Sequence, residues 1–385
     1  MKLRQYTRED IHNQRVLVRC DLDVTVNDEG YVDSYHDLRL ERIIPVLHDL
    51  FHHGARQIVL CGHRGRPRDG KDPALSLSPV CERLGDLAFA DGLDEHIAFV
   101  EDVALDPFAQ QEHPIVMLEN LRFWKGEKAG DESFARKLAS WGDVYVNDAF
   151  GNSHRADASM RMVAQMFTAA YAGPGLIKEI EHLESFRATC VKPYLAILGG
   201  AKISTKLPLI EQLQNEADHI ILGGGIANTV LAAQGNEVGM SLVEAPMFKQ
   251  TAALNNGKIL LPQDAVVEDG SVHPVSKLSK QQAILDIGPK SIATIIEMIA
   301  KAKSILWNGP MGKFEDERFC AATNAIARAI AHNTVARTVA GGGETLEALE
   351  RLCLVDRIGF VSTGGGAMLT FLADGDMPGL EAIQG

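Results

Sequence analysis

The sequence predicts an α/β protein of two domains, each built on a parallel sheet flanked by helices. Three observations carry this. Short β-branched runs alternate with longer helix-compatible stretches along the chain, the pattern of repeated strand–helix–strand units. The chain has 385 residues, 46% of them hydrophobic, which suits two cores better than one. A Gly173-Pro174-Gly175 break followed by an amphipathic stretch divides the alternation in two.

In the first half, residues 15–19, 57–60, 97–100, 115–118 and 144–146 read as strands, with helices expected over 40–51 and 133–141. Ligands of open parallel sheets bind beyond the carboxyl ends of the strands. The residues there are polar: Cys20-Asp21-Leu22-Asp23, Cys61-Gly62-His63-Arg64-Gly65-Arg66-Pro67, Glu119-Asn120-Leu121-Arg122, and Asn147-Asp148 with His154-Arg155. Arg39, ahead of another helix, joins them. Guanidinium forks match phosphate and carboxylate geometry. Any one of these arginines alone reads as a solvated surface residue; their recurrence at successive strand ends points to a site for a small polyanion. Asp21 and Asp23 share a face but have no companion cluster of metal-ligand spacing, so they suit hydroxyl binding.

After the break, Leu176, Ile180 and Leu183 form an apolar stripe opposite Lys178, Glu179 and Glu181. This reads as an interdomain helix within residues 173–187, the alternative being an ordinary helix inside one large domain.

In the second half, residues 194–198, 219–222, 258–261, 304–306, 338–340 and 359–361 read as strands, and glycine follows most of them. The ends are Gly199-Gly200, Gly223-Gly224-Gly225, Trp307-Asn308-Gly309-Pro310, Gly341-Gly342-Gly343-Glu344-Thr345 and Ser362-Thr363-Gly364-Gly365-Gly366. Such ends suit a nucleotide, which needs close backbone approach and N–H donors more than charge. Tight turns alone would explain one of them easily and the whole set poorly. The stretch Gly199-Gly200-Ala201-Lys202-Ile203-Ser204-Thr205-Lys206 reads as strand, turn and helix start. Lys202 and Lys206 are then one helical turn apart and can lean over one phosphate; the alternative is a glycine turn with two solvated lysines. The pattern GxxxxGK[ST] is absent, so phosphate binding here is not of that type.

Composition narrows the partners. A formal net charge of −13 argues against nucleic acid or an anionic membrane. Six cysteines without CxxC spacing suggest neither a zinc site nor a disulfide framework and fit a reducing compartment. The start, MKLRQYTRED, is charged where a leader would be apolar, and no apolar run reaches bilayer length. A cytoplasmic protein, without nucleic-acid or membrane partners, is expected.

The motifs RCDLDV, GHRGRP, LENLRF, YVNDAFGNSHRADAS, AILGGAKISTK, ILGGGIANT, LDIGP, LWNGPMGKFE, GGGET and STGGGA occur in this order. By them the chain resembles the phosphoglycerate kinase family, in its bacterial form, along nearly its whole length. The resemblance implies two Rossmann-like domains joined by an interdomain helix and hinge: residues 1–172 for phosphoglycerate, 173–187 the helix, 188–370 for nucleotide, and 371–385 returning to the first domain. It implies reversible phosphoryl transfer from 1,3-bisphosphoglycerate to MgADP, giving 3-phosphoglycerate and MgATP, by a monomer. Asp21, Asp23, Arg39, His63, Arg66, Arg122 and Arg155 would line the phosphoglycerate site. Gly200, Lys202, Lys206, Gly224, Asn308, Glu315, Gly343, Glu344 and Thr345, with Gly365 and Gly366, would serve the nucleotide and the transferred group. Glu315 would take the ribose hydroxyls and Glu344 the nucleotide's Mg²⁺. Arg39, Lys202 and the amides near Gly343 and Gly366 would be catalytic.

Several positions depart from the family pattern. Asp23 stands where asparagine is usual, Thr25 for proline, Asp157 for histidine, Thr205 for aspartate, Lys313 for a small apolar residue and Glu344 for aspartate, while Met368 and Thr370 alter the helix after STGGGA. A catalytically impaired paralogue that binds both ligands, and a two-lobed binding protein without chemistry, are the competing expectations.

Overall fold

The computed structural model describes every residue except 1, 35, 36, 69, 253, 255 and 256. The chain divides into two compact units, residues 1–181 with 374–385, and residues 182–373.

The first unit is organised on a six-stranded sheet of β1 (Arg15–Arg19), β2 (Gln57–Cys61), β3 (Ile97–Val100), β4 (Ile115–Leu118), β5 (Val144–Asn147) and β6 (Ala170–Ala172). Their order is β3-β4-β2-β1-β5-β6, and every neighbouring pair is parallel. β1, β2, β4 and β5 are buried at every residue. Helix-covered parallel strands show this continuous burial because neither face meets water. The connections turn back across the sheet between β1 and β5, and ligands of open α/β sheets occupy such reversals. Arg19 pairs with both Cys61 and Asn147, so the segments after β1, β2 and β5 leave the sheet along one edge. β6 was not foreseen, since Ala-Tyr-Ala is too short and too weakly β-branched to register. The helix expected over 40–51 is two, Asp37–Glu41 and Ile44–His52. Pro45 lies in the first turn of the second, where a missing N–H is tolerated.

The connecting helix runs Pro174–Ala188. Asp148, just past β5, accepts the Leu176 N–H at 2.8 Å. A Cβ on Gly173 would fall 2.4 Å from its Oδ1, so a glycine is needed for the backbone to wrap this capping carboxylate. Glu179 pairs with Arg42 at 2.8 Å. Beyond the division, His182 stacks on Phe360 at 4.3 Å and Phe186 meets Tyr194 edge-on at 5.7 Å. The last residues add to the first unit: Gly379 N–H donates to Ser153 O at 2.9 Å, Arg4 N–H to Ile383 O at 3.0 Å, and Leu380 and Ile383 are buried.

The second unit carries β7 (Tyr194–Leu198), β8 (His219–Leu222), β9 (Ile259–Leu260), β10 (Asp264–Val267), β11 (Val272–Pro274), β12 (Ile284–Ile287), β13 (Ser304–Asn308), β14 (Arg337–Gly341) and β15 (Phe360–Ser362). A parallel sheet has the order β15-β14-β13-β7-β8-β9, and a smaller antiparallel sheet the order β11-β10-β12. The small sheet was not expected. The main sheet reverses between β7 and β13, where Leu198 pairs with Asn308, so Gly199 and Gly309 emerge side by side.

These glycines first serve packing. Gly199 N–H donates to Asn308 O at 2.9 Å and Gly200 N–H to Pro310 O at 2.8 Å. A Cβ on Gly199 would lie 1.9 Å from Pro310 O, one on Gly225 2.5 Å from Ala201 O, and one on Gly365 2.3 Å from Gly342 Cα. Gly343 differs, with nothing within 4 Å of an added Cβ. Gly199→Ala, which must displace backbone, is expected to lower stability by roughly 1–3 kcal/mol or more. Gly343→Ala is expected to change it by less than about 0.5 kcal/mol. Urea unfolding of the two variants checks the pair; equal stability would mean that the interlocked loops have slack.

Candidate active site

In the first unit, cationic side chains converge on the carboxyl edge of β1 and β2. Arg39 donates from Nη1 to Asp23 O at 2.7 Å and reaches Asp21 Oδ1 at 3.5 Å. Arg122 donates from Nη1 to Gly65 O at 2.8 Å, and its Nη2 lies 3.5 Å from Asp157 Oδ2. Asp23 Oδ1 accepts the Gly65 N–H at 2.7 Å, tying the loop after β1 to the loop after β2. Arg66 is exposed and Arg155 half-buried. Among the described residues, the buried nitrogens His63 Nε2, His154 Nδ1, Arg122 Nε and Arg155 Nε have no hydrogen-bond partner. Buried polar atoms in native proteins are almost always paired, so these four mark a place built to receive acceptor oxygens.

The frame around this basin was only partly read from sequence. Arg64, in the midst of the arginine-rich loop, is scaffold: it donates to the carbonyls of Val24, Ala74 and Ser76 at 2.9–3.1 Å. Asn120 ties the loop from the other side, accepting the Arg64 and Arg122 N–H groups and donating to Arg64 O. Arg19, Ser159 and Glu127 were missed, and all three are wholly buried. The available signal was the arginine closing the apolar run of β1. Burial, then the surrounding arginines, hold His63 well below the ordinary histidine range. Burial, then Arg155, lower His154 as well.

In the second unit a pocket of about 290 Å³ opens at the reversal between β7 and β13, lined by Gly200, Gly224, Pro310, Lys313, Glu315 and Glu344 among others. Gly224, at φ +59°, lets its helix begin against Gly200, whose carbonyl would lie 2.9 Å from an added Cβ. The helices Gly343–Arg351 and Gly365–Asp374 begin at this edge of the sheet, with Gly366 exposed in the first turn of the second. Asn308 and Thr345 are buried and act as braces: Asn308 Nδ2 donates to Gly341 O at 2.6 Å, and Thr345 Oγ1 accepts the Gly309 N–H at 2.7 Å. Glu344 is pushed up by desolvation, then by Glu315, with Lys206 opposing.

The two lysines do not lie on one helical face as expected. Residues 200–206 form an irregular turn and the helix begins at Leu207, with Pro208 in its first turn. A helix starting earlier would carry that proline in its interior. Lys206 turns inward, donating from Nζ to Gly199 O at 2.5 Å and Asn308 O at 3.1 Å. Burial pulls its ammonium down to about 8. Lys202 is exposed. The turn is pinned by Glu244, also unforeseen, which accepts from Ser204 N–H at 2.9 Å and Ser204 Oγ at 2.8 Å.

Comparison with known proteins places this pair of sites in context. A model of the phosphoglycerate kinase family matches residues 6–375. The phosphoglycerate kinase of Koribacter versatilis is 40% identical over 97% of both chains, and that of Dictyoglomus turgidum 40% identical over 98% of this chain and 97% of its own. The structure of phosphoglycerate kinase from Coxiella burnetii superposes with a TM-score of 0.76 at 36% identity, covering 97% of both chains. The Pyrococcus horikoshii enzyme gives 0.83 at 29% identity, covering 97% of this chain and 96% of its own. With identity and fold agreeing over almost every residue, the chain belongs to the phosphoglycerate kinase family.

Proposed function

We propose that the protein transfers a phosphoryl group reversibly between 1,3-bisphosphoglycerate and MgADP, giving 3-phosphoglycerate and MgATP. The observation that carries this reading is the set of four buried nitrogens without partners at one sheet edge, in a chain whose other unit has a glycine-lined pocket. Asp21, Asp23, Arg39, His63, Arg66, Arg122 and Arg155 bind the phosphoglycerate; Gly200, Gly224, Glu315 and the loops braced by Asn308 and Thr345 bind the nucleotide.

In the ATP-consuming direction the nucleophile is a carboxylate, already ionised at neutral pH, so no general base is needed. Catalysis rests on alignment and on neutralising the in-line phosphoryl group. Arg39 and Lys202 meet its oxygens, helped by the first amides of the helices at Gly343 and Gly366. Transfer requires the two ligands to meet, so closure about the helix Pro174–Ala188 belongs to this reading. Lys206 acts from behind, holding the carbonyls of Gly199 and Asn308.

Among the described residues no cluster of three or more metal-ligating side chains occurs. A divalent ion held here would draw on the nucleotide's oxygens as well as on the protein. Glu344 fits the remaining role: its carboxylate lines the pocket and is crowded by Glu315, a repulsion that a cation relieves. Bound there, Mg²⁺ would offset charge on the phosphate chain. The monomeric state and the cytoplasmic location are parts of the same proposal.

A coupled assay for ATP formation tests the reading; a folded protein inactive in that assay would instead be the impaired paralogue. Lys202→Ala is expected to cut turnover by at least about tenfold while changing stability by less than about 0.5 kcal/mol. Lys206→Met, which strips a donor from two buried carbonyls, is expected to lower stability by roughly 1–3 kcal/mol. Unfolding curves beside turnover separate the two roles, and a Lys202→Ala variant with full turnover would remove Lys202 from the mechanism.

For the metal, Glu344→Asp is expected to reach half-maximal activity at lower Mg²⁺ than the wild type, and Glu344→Ala at higher. A shorter side chain suits the tight geometry of Mg²⁺, whereas its loss leaves the nucleotide alone to hold the ion. Coincident Mg²⁺ titrations of all three would refute the assignment.

A further inference from the structure

Behind the basin lies a buried chain of side chains that the phosphoryl-transfer chemistry does not use. Glu127 is wholly buried and accepts from the Ser159 N–H at 3.0 Å and the Ser159 hydroxyl at 2.5 Å. That hydroxyl oxygen accepts from Arg19 Nε at 2.9 Å. Arg19, also wholly buried, donates from Nη1 to Cys20 O, and its Nη2 lies 2.8 Å from His63 Nδ1.

We propose that Arg19 is a positioning residue that fixes His63 as the neutral imidazole with its proton on Nε2, so that the ring presents a constant N–H donor to the anion in the basin. A guanidinium has only donors. The atom 2.8 Å from Nη2 must therefore accept, and an imidazole nitrogen accepts only when it is bare. The neutral ring then carries its hydrogen on Nε2, the nitrogen that is buried without a hydrogen-bond partner. Asp23 Oδ2, at 3.7 Å from Nε2, is too far to take that hydrogen well. Arg19 cannot swing away, because Ser159 and Cys20 hold its other nitrogens.

The charges facing the ring act in the same sense. Arg19 comes from β1, Arg39 from the helix Asp37–Glu41, Arg122 from the turn Leu121–Phe123 and Arg155 from the segment after Asn152; Asp23 is the opposing carboxylate. Burial and four cations both disfavour an imidazolium. An imidazolium would also have to point an N–H into the guanidinium. The ring therefore keeps one protonation state while an ordinary histidine would titrate. That the anion is phosphoglycerate rests on the function proposed above; the tautomer does not.

The test is long-range ¹H–¹⁵N correlation spectroscopy of the intact, ¹⁵N-labelled protein, with the His63 signals assigned by their loss in His63→Gln. The expected result is a bare Nδ1 and a protonated Nε2, unchanged from about pH 8 down to about pH 5.5, the range in which free histidine titrates. A hydrogen on Nδ1, or a His63 titration within that range, would overturn the proposal. As a second readout, Arg19→Met is combined with Glu127→Gln so that no buried carboxylate is left without its cation. The double variant is expected to raise KM for 3-phosphoglycerate on the order of tenfold, the loss of one well-placed hydrogen bond to a charged group. Its KM should gain an imidazole inflection that the wild type lacks; a folded variant with a wild-type pH profile would also count against Arg19. If the tautomer is as stated but phosphoglycerate is not turned over, the functional reading fails and the role of Arg19 stands.

Discussion

Like charges brought together at the buried edge of a sheet are the constraint on which the first unit depends. Arg19, Arg39, Arg122 and Arg155 all act on His63, and gathering like charges in one place costs free energy. The fold holds them with groups that fix position without cancelling the field. Carbonyls of Asp23 and Gly65 take one nitrogen each from Arg39 and Arg122. The carboxylates that approach do so at long range, Asp21 to Arg39 and Asp157 to Arg122 each at 3.5 Å. A pair at 3.5 Å draws less from the field than a bidentate contact would, so attraction for an incoming anion remains. Local destabilisation of this kind is the usual cost of a preorganised site.

The second unit solves a different problem, with closely packed backbone in place of a cluster of arginines. Its loops emerge from the sheet within backbone contact of one another, Gly199 against Pro310 and Gly225 against Ala201. Only glycine permits such spacing, and the result is a rigid rim of peptide groups. Lys206 belongs to that rim, since its ammonium bridges the carbonyls of Gly199 and Asn308. A buried cation bound to neutral carbonyls keeps a positive field under the pocket floor while its geometry stays fixed. Glu344 is the group that feels it, with Lys206 working against the desolvation and the neighbouring Glu315 that raise its pKa.

Most of both parallel sheets was legible, because strands buried on both faces leave uninterrupted apolar runs that end abruptly in polar or glycine-rich segments. What escaped detection has physical reasons. β6 holds three residues and β11 ends in Pro274, so neither has enough side-chain pattern to stand out. Lys206 was misread because spacing was counted along a helix that Pro208 prevents from starting early. Arg19 was hidden by its own strand: alternation assigns a terminal arginine to solvent, and only the tertiary placement of Ser159 and Glu127 makes burial tolerable there. Conversely, Arg64 stands in the same polar segment as His63 and Arg66 and is a brace, a distinction that depends on where carbonyls lie in space.

The departures from the family pattern can be weighed against this geometry. Asp23 Oδ1 accepts the Gly65 N–H, a bond that the amide oxygen of asparagine makes equally well, so the exchange keeps the loop in place while it adds a negative charge and puts an acceptor oxygen where the amide would have a donor. Asp157 likewise adds a negative charge 3.5 Å from Arg122 where histidine is usual. Both changes act on the same term, the net positive potential of the basin, and both reduce it. Neither removes a nucleophile or a base from the proposed transfer, which would draw on charge and position. A weaker potential acts on the ground-state anion and on the transferring group together, and uniform weakening of that kind shows in KM before turnover. On the function proposed above, the replacements would therefore bear on how tightly the acid substrate is held more than on the route of the phosphoryl group.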